Sequence, residues 1–181
     1  MAVVVVGGQT RGVGKTSVVC SLIAAIPERE WTAVKLSVHG QAGSVEVHEE
    51  TTEESGKDSA RFLAAGAVRS FYISAPEGGL ELVMPRLLEI LAQARNAIIE
   101  SASVLEYLRP TLALAVIDPA ACEVKESLER WFERIDAVLS TGSAPLSGAL
   151  KELEAKPRFV IRPPVYGSDE LRAFVRHALG K

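Results

Sequence analysis

Residues 7–17 read Gly7-Gly8-Gln9-Thr10-Arg11-Gly12-Val13-Gly14-Lys15-Thr16-Ser17. They follow the apolar run Ala2–Val6, which is typical of a strand buried on both faces, and they precede apolar residues with helical spacing. A glycine-rich turn between such a strand and a helix directs backbone N–H groups toward a bound anion. This stretch therefore predicts a phosphate-binding loop.

The residue types of this loop predict different roles within it. The candidate nucleotide-binding residues are Gly12, Val13, Gly14, Lys15, Thr16 and Ser17. Lys15 would reach the β- and γ-phosphates, Thr16 would offer its hydroxyl to Mg²⁺, and Ser17 would meet an inner phosphate. Arg11 would fold over a phosphate, in the same subunit or across a dimer, and stabilise charge during phosphoryl transfer. Lys15 and Arg11 are therefore candidate catalytic residues.

The loop is one residue longer than the standard spacing. Five residues before Gly14 stands Gln9, where the usual pattern has glycine, and Gly8 lies one position further back. The alternative interpretation is a glycine-rich strand-to-helix turn that binds nothing. The Gly-Val-Gly-Lys-Thr core in its strand–helix context favours phosphate binding.

Strand-like and helical patterns alternate along the 181 residues. The predicted strands are Ala2–Val6, Thr32–Ser37, Ser70–Ser74, Asn96–Ile99, Leu112–Ile117, Ala137–Leu139 and Phe159–Ile161. The predicted helices cover residues 18–26, 58–65, 85–93 and 171–179, with Pro85 in a first turn and Gly66 after a last one. The pattern predicts an α/β fold with a doubly wound, mainly parallel seven-stranded sheet and helices on both faces, as a single domain over residues 1–181.

The least regular stretch is Val38–Lys57, which is rich in Gly, Ser, Thr and Glu. It offers little apolar surface to offset the entropy of fixing the chain, so we expect it to be mobile without ligand and to order on binding. Val45 and Val47 alternate with polar residues, which leaves a short edge hairpin as the competing interpretation.

Composition excludes several classes of function. The formal net charge is −3 and aromatic residues make up 6%, so neither a basic nucleic-acid surface nor a base-stacking platform is expected. No apolar run approaches the roughly 20 residues of a membrane span. Two cysteines that lie far apart are typical of a reducing compartment. We expect a cytoplasmic protein that binds neither nucleic acid nor membranes.

Two elements resemble known families. The loop 8–16 resembles the long P-loops of dethiobiotin synthetase. The element Gly56-Lys57-Asp58-Ser59, followed by Ala64-Ala65-Gly66-Ala67, resembles the molybdopterin-guanine dinucleotide biosynthesis protein B (MobB) family of P-loop NTPases. That family places the element after a strand with Lys and His residues, and Val34–His39 occupies this place. The P-loop is longer than is typical of that family. His39 is the one histidine at the end of this strand, where the family has several.

The MobB resemblance implies roles for residues outside the loop. Lys35 and His39, at the end of the second strand, would contact substrate or phosphate. Glu100, at the carboxyl end of a central strand, would hold Mg²⁺ together with Thr16. Asp58 would orient a water in catalysis or bind Mg²⁺, and its alternative role is a helix N-cap. Asp118 also ends a strand, but Asp-Pro is more typical of a turn.

The resemblance also implies a function: Mg-nucleotide binding and slow hydrolysis, as an accessory to molybdenum-cofactor guanine dinucleotide biosynthesis or a related metallocofactor step. A molybdenum-cofactor nucleotidyltransferase would be the partner, and we expect a homodimer. The resemblance to MobB indicates GTP, and the resemblance to dethiobiotin synthetase indicates ATP. We expect GTP. Residues 140–143 lack the acid that reads guanine, and residues 162–164 would form the other wall of a base pocket. The alternatives are an ATP-dependent carboxylate-activating ligase and a non-hydrolysing nucleotide switch.

Overall fold

The structure is a computed structural model that describes residues 1–39, 45–52 and 57–180. Its strands are β1 (Val3–Gly8), β2 (Trp31–His39), β3 (Glu46–Glu49), β4 (Arg69–Pro76), β5 (Asn96–Glu100), β6 (Leu112–Ile117), β7 (Ala137–Ser140) and β8 (Arg158–Val160). Its α-helices are α1 (Lys15–Ala25), α2 (Ala60–Ala64), α3 (Leu80–Ala92), α4 (Glu126–Glu129) and α5 (Asp169–Ala178). Short 3₁₀ helices cover Pro27–Arg29, Ser103–Glu106, Phe132–Arg134 and Gly148–Leu153.

These strands form one sheet in the order β3-β4-β2-β5-β1-β6-β7-β8. Neighbouring strands are parallel except β3 and β4, which are antiparallel. The predicted doubly wound, mainly parallel α/β fold is confirmed. The predicted count of seven strands is wrong, because the described residues contain an eighth strand, β3.

The strand β3 lies within the stretch Val38–Lys57, which we expected to be irregular. Val47 faces Ile73 of β4 across the antiparallel pair and packs against a core of the sheet. The irregular interpretation is therefore wrong for Glu46–Glu49. The competing interpretation is correct in that β3 is an edge strand, but its partner β4 follows α2, so the pair is not the predicted short hairpin. The predicted ordering on ligand binding also involves residues 40–44 and 53–56, which lie outside the described residues.

Two apolar cores, one on each face of the sheet, place helices on both sides. On one face α1, α2 and α5 contribute Val18, Phe62 and Val175. On the other face α3 and α4 contribute Leu87 and Leu128. All six residues of β6 are buried, which explains why this strand is a continuous apolar run in the sequence.

The register of the central strands sets the position of the site. Lys35 on β2 lies opposite Glu100 on β5, and Glu100 lies opposite Val6 on β1. Residues in register on neighbouring strands project from the same face of a sheet. Val6 belongs to the core that α1 covers, so Lys35 and Glu100 lie on the α1 face, at the carboxyl edge where α1 begins.

Two helix boundaries test the sequence patterns. α2 is shorter than the predicted 58–65, but it ends as predicted: Gly66 has a φ of 101° and the Ala67 N–H donates to the Phe62 carbonyl at 3.0 Å, as in a Schellman motif. α3 begins at Leu80, so the prediction that Pro85 lies in its first turn is wrong, and Pro85 stands inside the helix. The apolar face of α3, buried against the sheet, offsets the backbone hydrogen bond that proline cannot donate.

Among the described residues no helix is both long and apolar enough to cross a membrane.

Candidate functional site

The loop between β1 and α1 turns through two glycines with positive φ. Gly12 and Gly14 have φ angles of 80° and 106°, a left-handed conformation that glycine adopts without strain. Val13 is buried in the core beneath the loop, so it offers the loop surface only its main chain. Lys15 begins α1, and its Nζ donates to the carbonyl of Thr10 at 3.0 Å. The ammonium group is thus held over the turn that a phosphate would enter.

Replacing Gly14 by alanine is expected to distort this loop. At a φ of 106° an L-residue is strained, and the added Cβ would lie 2.8 Å from Cε1 of Tyr166. Strain of this kind costs about 1–3 kcal/mol, which thermal denaturation would detect as a lower melting temperature. Gly12→Ala is the matched control, since its φ is 80° but its Cβ would meet no heavy atom within 4 Å. Equal losses in the two variants would show that the contact with Tyr166 has no influence.

Four predicted site residues lie together beside the end of β5. Lys35 is in the middle of β2 and not at its end as expected, because β2 continues to His39. Thr16 Oγ1 donates to Glu100 Oε2 at 2.8 Å, and both residues are buried. Lys35 Nζ lies 2.5 Å from Asp58 Oδ2 and 3.4 Å from Glu100 Oε1. The same ammonium group is 3.3 Å from Thr16 Oγ1. Lys35 therefore lies between two carboxylates and a hydroxyl, and no group of three His, Cys, Asp or Glu that could hold a metal forms among the described residues.

Arg61 extends this cluster to the start of α1. Its guanidinium lies 3.6 Å from Asp58 Oδ1 and donates to Ser17 Oγ at 3.1 Å. The N-cap residue of α2 is Ser59, so the alternative role of Asp58 as a helix cap is not observed. Sequence reasoning missed Arg61, although its spacing of three residues from Asp58 is typical of a pair on one helical turn.

The position of Asp58 is set by contacts with two strands. The hydroxyl of Ser59 donates to the buried Glu50 carboxylate at 2.5 Å, and the hydroxyl of Ser70 donates to the Ser59 carbonyl at 2.7 Å. These bonds hold the turn before α2 against β4 and the end of β3. Glu50, which sequence reasoning missed, thus supports the carboxylate that meets Lys35.

Burial and neighbouring charges shift two pKa values in this cluster. Burial is the main cause that lowers the pKa of Lys15; Glu100 opposes the shift, and Lys125 and Lys35 add to it. The hydrogen bond from Lys35 is the main cause that lowers the pKa of Asp58. A cation that burial destabilises gains from a nearby anion, so the surroundings of Lys15 favour a bound phosphate.

Asp58→Asn is expected to remove an acid-sensitive part of the stability. The pKa of Asp58 in the fold lies below its ordinary value of 3.8, chiefly through the bond from Lys35. Such a carboxylate stabilises the fold above its unfolded pKa, and the contribution is lost as pH falls through the folded pKa. The melting temperature of the wild type should therefore exceed that of the variant by a constant amount from about pH 5 to 7, and the difference should shrink below about pH 4. A difference that stays constant down to about pH 2 would contradict the pairing.

The remaining predicted residues are Arg11, Asp118 and His39. Arg11 is exposed at the crest of the loop, and its role in charge stabilisation stays a prediction. The Asp118 carboxylate accepts the N–H of Ala120 at 3.0 Å, so the turn interpretation of this residue is confirmed. His39 ends β2, but its side chain lies outside the described part of the structure, and its predicted contact stays a prediction.

Gln9, which breaks the standard loop spacing, is fully buried. Its Nε2 donates to the carbonyls of Ala121 and Glu123 at 2.8 and 2.9 Å, and its Oε1 accepts the N–H of Asp118 at 2.7 Å. Its own carbonyl accepts the N–H of Lys125 at 2.9 Å. Both donors and the acceptor of the amide are therefore used. A sequence pattern cannot indicate partners that lie more than a hundred residues away.

The expected base-binding region lies at the ends of β7 and β8. Arg158 Nη2 lies within hydrogen-bond distance of three oxygens: Ser140 Oγ at 2.8 Å and the carbonyl oxygens of Gly142 and Ala144 at 2.7 and 2.8 Å. An arginine thus holds the loop where relatives of the resembling families read guanine with an acid. The segment after β8 leads to Tyr166, whose ring lies beside Gly14. The role of residues 162–164 as the other wall of a base pocket stays a prediction.

The fold is the three-layer α/β fold of P-loop NTPases. LpxK from Aquifex aeolicus in complex with ATP matches with a TM-score of 0.58 and 16% identity, over 88% of this chain and 53% of that one. The signal recognition particle 54 kDa protein from Aeropyrum pernix K1 in complex with GDP matches with a TM-score of 0.53 and 16% identity, over 99% of this chain and 46% of that one. The chain thus spans about half the length of these two proteins.

A MobB homologue from Bacillus stearothermophilus also matches, with a TM-score of 0.43 and 17% identity over 88% of each chain. At this TM-score and identity the match adds nothing to the fold that the two structures above show. No protein-family model matches the sequence, and no curated protein matches it at a significant level.

Proposed function

We propose that this chain binds a magnesium–nucleoside triphosphate, GTP by preference, and hydrolyses it slowly. The observation that carries the proposal is the hydrogen bond of 2.8 Å between Thr16 and Glu100 beside the first turn of α1. It joins the hydroxyl that follows the loop lysine to a carboxylate at the end of a neighbouring strand. P-loop NTPases hold Mg²⁺ with this combination of groups.

The oxygen atoms present fit Mg²⁺. This ion prefers oxygen ligands and is usually held by one or two carboxylates together with waters and substrate phosphates. Thr16 and Glu100 would hold it, and the Asp58 carboxylate is joined to Glu100 through Lys35. When bound, Mg²⁺ would neutralise charge on the phosphates.

The residues of the chain would supply the remaining positive charge. Phosphoryl transfer depends on positioning and on charge neutralisation. Lys15 and the amides of residues 12–14 would position the phosphates, and Arg11 would stabilise charge from the loop crest. Lys35 offsets part of the negative charge of Glu100 and Asp58, and it is a further candidate for phosphate contact.

The base and the biological role rest on the sequence resemblance. We propose GTP because the element at residues 56–59 resembles MobB, and we propose a role beside a molybdenum-cofactor nucleotidyltransferase, or in a related metallocofactor step, as a cytoplasmic homodimer. The similar structures include one complex with ATP and one with GDP, so the fold accommodates either base.

Calorimetric titration with GTP and ATP, in Mg²⁺ and in EDTA, tests the proposal together with an assay of phosphate release. We expect tighter, Mg²⁺-dependent binding of GTP and slow release of GDP. Preference for ATP with ADP release only in the presence of a carboxylate substrate would favour the ligase, and binding without turnover would favour the switch. No binding of either nucleotide would overturn the proposal.

A further inference from the structure

A segment outside the phosphate-binding loop is held against it by Gln9. Residues 118–125, here called the Gln9-bound segment, run from the end of β6 to the start of α4. The buried Gln9 side chain bonds the main chain of this segment at three residues, and the Gln9 carbonyl accepts a fourth bond, from Lys125. Buried amide groups with all partners satisfied define one arrangement, so we expect loop and segment to keep a fixed relative position.

Lys125 is the basic residue of this segment. Its N–H bonds the main chain of Gln9 at 2.9 Å, which places its backbone beside the loop. Its side chain is exposed, and its charge acts on that of Lys15. The neighbouring Glu126 pairs with Arg130 at 2.6 Å, and no carboxylate of the described residues forms an ion pair with Lys125.

We propose that Lys125 is a phosphate-binding residue of the nucleotide site and that Gln9 is the residue that positions it. This inference rests on the proposed function, because it assigns a further contact to the same ligand. Lys35 is already paired with Asp58 and Glu100, whereas Lys125 has no such partner among residues 1–39, 45–52 and 57–180. Hydrogen bonds between a cation and a phosphate are stronger than neutral ones.

The proposal also explains the departure from standard loop spacing. Glycine is usual where Gln9 stands, but glycine has no side chain to bond Asp118, Ala121 and Glu123. The longer loop and the distant segment thus form one unit. The Gln9-bound segment supplies the cation, Lys125, and Gln9 of the loop fixes the position of that segment.

Calorimetric titration tests the role of Lys125. Inorganic pyrophosphate and GTP, each with Mg²⁺, are titrated into the wild type, Lys125→Ala and Lys151→Ala. Lys151 is an exposed lysine on the 3₁₀ helix Gly148–Leu153 and serves as the matched control. We expect Lys125→Ala to bind both ligands about 5- to 10-fold more weakly, with a shallower salt dependence and an unchanged melting temperature. Lys151→Ala and Lys125→Arg should stay within about twofold of the wild type.

A second variant tests the positioning. Gln9→Gly should lower affinity by a similar factor, and the double variant should lose little further affinity, because the two residues act as a unit. Additive losses would overturn the role of Gln9, and wild-type affinity in Lys125→Ala would overturn the inference while the proposed function stands. Pyrophosphate binding that depends on Lys125 without any nucleotide binding would support the inference and end the proposed function. A wild type that binds neither ligand would end both.

Discussion

Lys15→Ala is expected to remove most of the nucleotide affinity and to leave the fold intact. The Lys15 ammonium bonds only the Thr10 carbonyl at 3.0 Å among the described contacts, and burial lowers its pKa. Its charge is therefore a cost to the folded protein that a phosphate relieves. Hydrogen bonds to charged groups contribute about 1.5–3 kcal/mol, so affinity should fall by about 10- to 100-fold.

The melting temperature of Lys15→Ala distinguishes a loss of nucleotide binding from a loss of the fold. A cation whose pKa is lowered by burial destabilises the fold at neutral pH, and the penalty is relieved as pH rises through the lowered pKa toward the ordinary value of 10.5. The melting temperature of Lys15→Ala at pH 7 should therefore equal or exceed that of the wild type. Lys151→Ala, with calorimetry under the same conditions, is the control. Unchanged nucleotide affinity in Lys15→Ala would exclude a phosphate-binding role for the loop.

Glu100→Gln is expected to remove the dependence of nucleotide binding on Mg²⁺. The substitution keeps the size of the side chain and an oxygen that can accept the hydrogen bond from Thr16, which measures 2.8 Å. It removes the negative charge that would attract the ion. We expect the Mg²⁺-dependent gain in affinity to fall by about tenfold or more.

Binding without Mg²⁺ should change in the opposite sense. Glu100 lies within the cluster of Thr16 and Lys35, so its charge repels a phosphate when no metal is present. In EDTA, Glu100→Gln should bind nucleotide as well as the wild type or better. Titrations in Mg²⁺ and in EDTA measure both effects, and Glu81→Gln on the exposed side of α3 is the control. A Mg²⁺ dependence equal to that of the wild type would mean that Glu100 has no part in metal binding.

The fold was predictable because its signals are local. A buried parallel strand is a continuous apolar run, and β6 is apolar from Leu112 to Ile117 with every residue buried. Gly66 follows α2 with a φ of 101°, a conformation that glycine adopts without strain. The edge strand β3 was harder to predict, because three of its four residues are exposed and a single apolar residue, Val47, packs against the core.

The candidate site was predictable in part. The loop 7–17 and the site residues Lys35 and Glu100 follow from motif and resemblance, and the sheet order places the two strands that carry Lys35 and Glu100 side by side. The sequence did not predict that Arg61, Glu50 and the partners of Gln9 belong to the site. Their contacts join residues that the sequence separates, and no pattern within one element indicates such pairs.

The sequence by itself determined the alternation of strands and helices, the glycine-rich turn and the chemical types of the groups at the strand ends. These depend on the properties of each residue and of its near neighbours. The tertiary structure alone decided which charges meet: that Lys35 lies between Asp58 and Glu100, and that Gln9 is satisfied by a distant segment. The physical reason is that a charge or a buried amide acts over a few ångströms of space, and strand order and register set those distances.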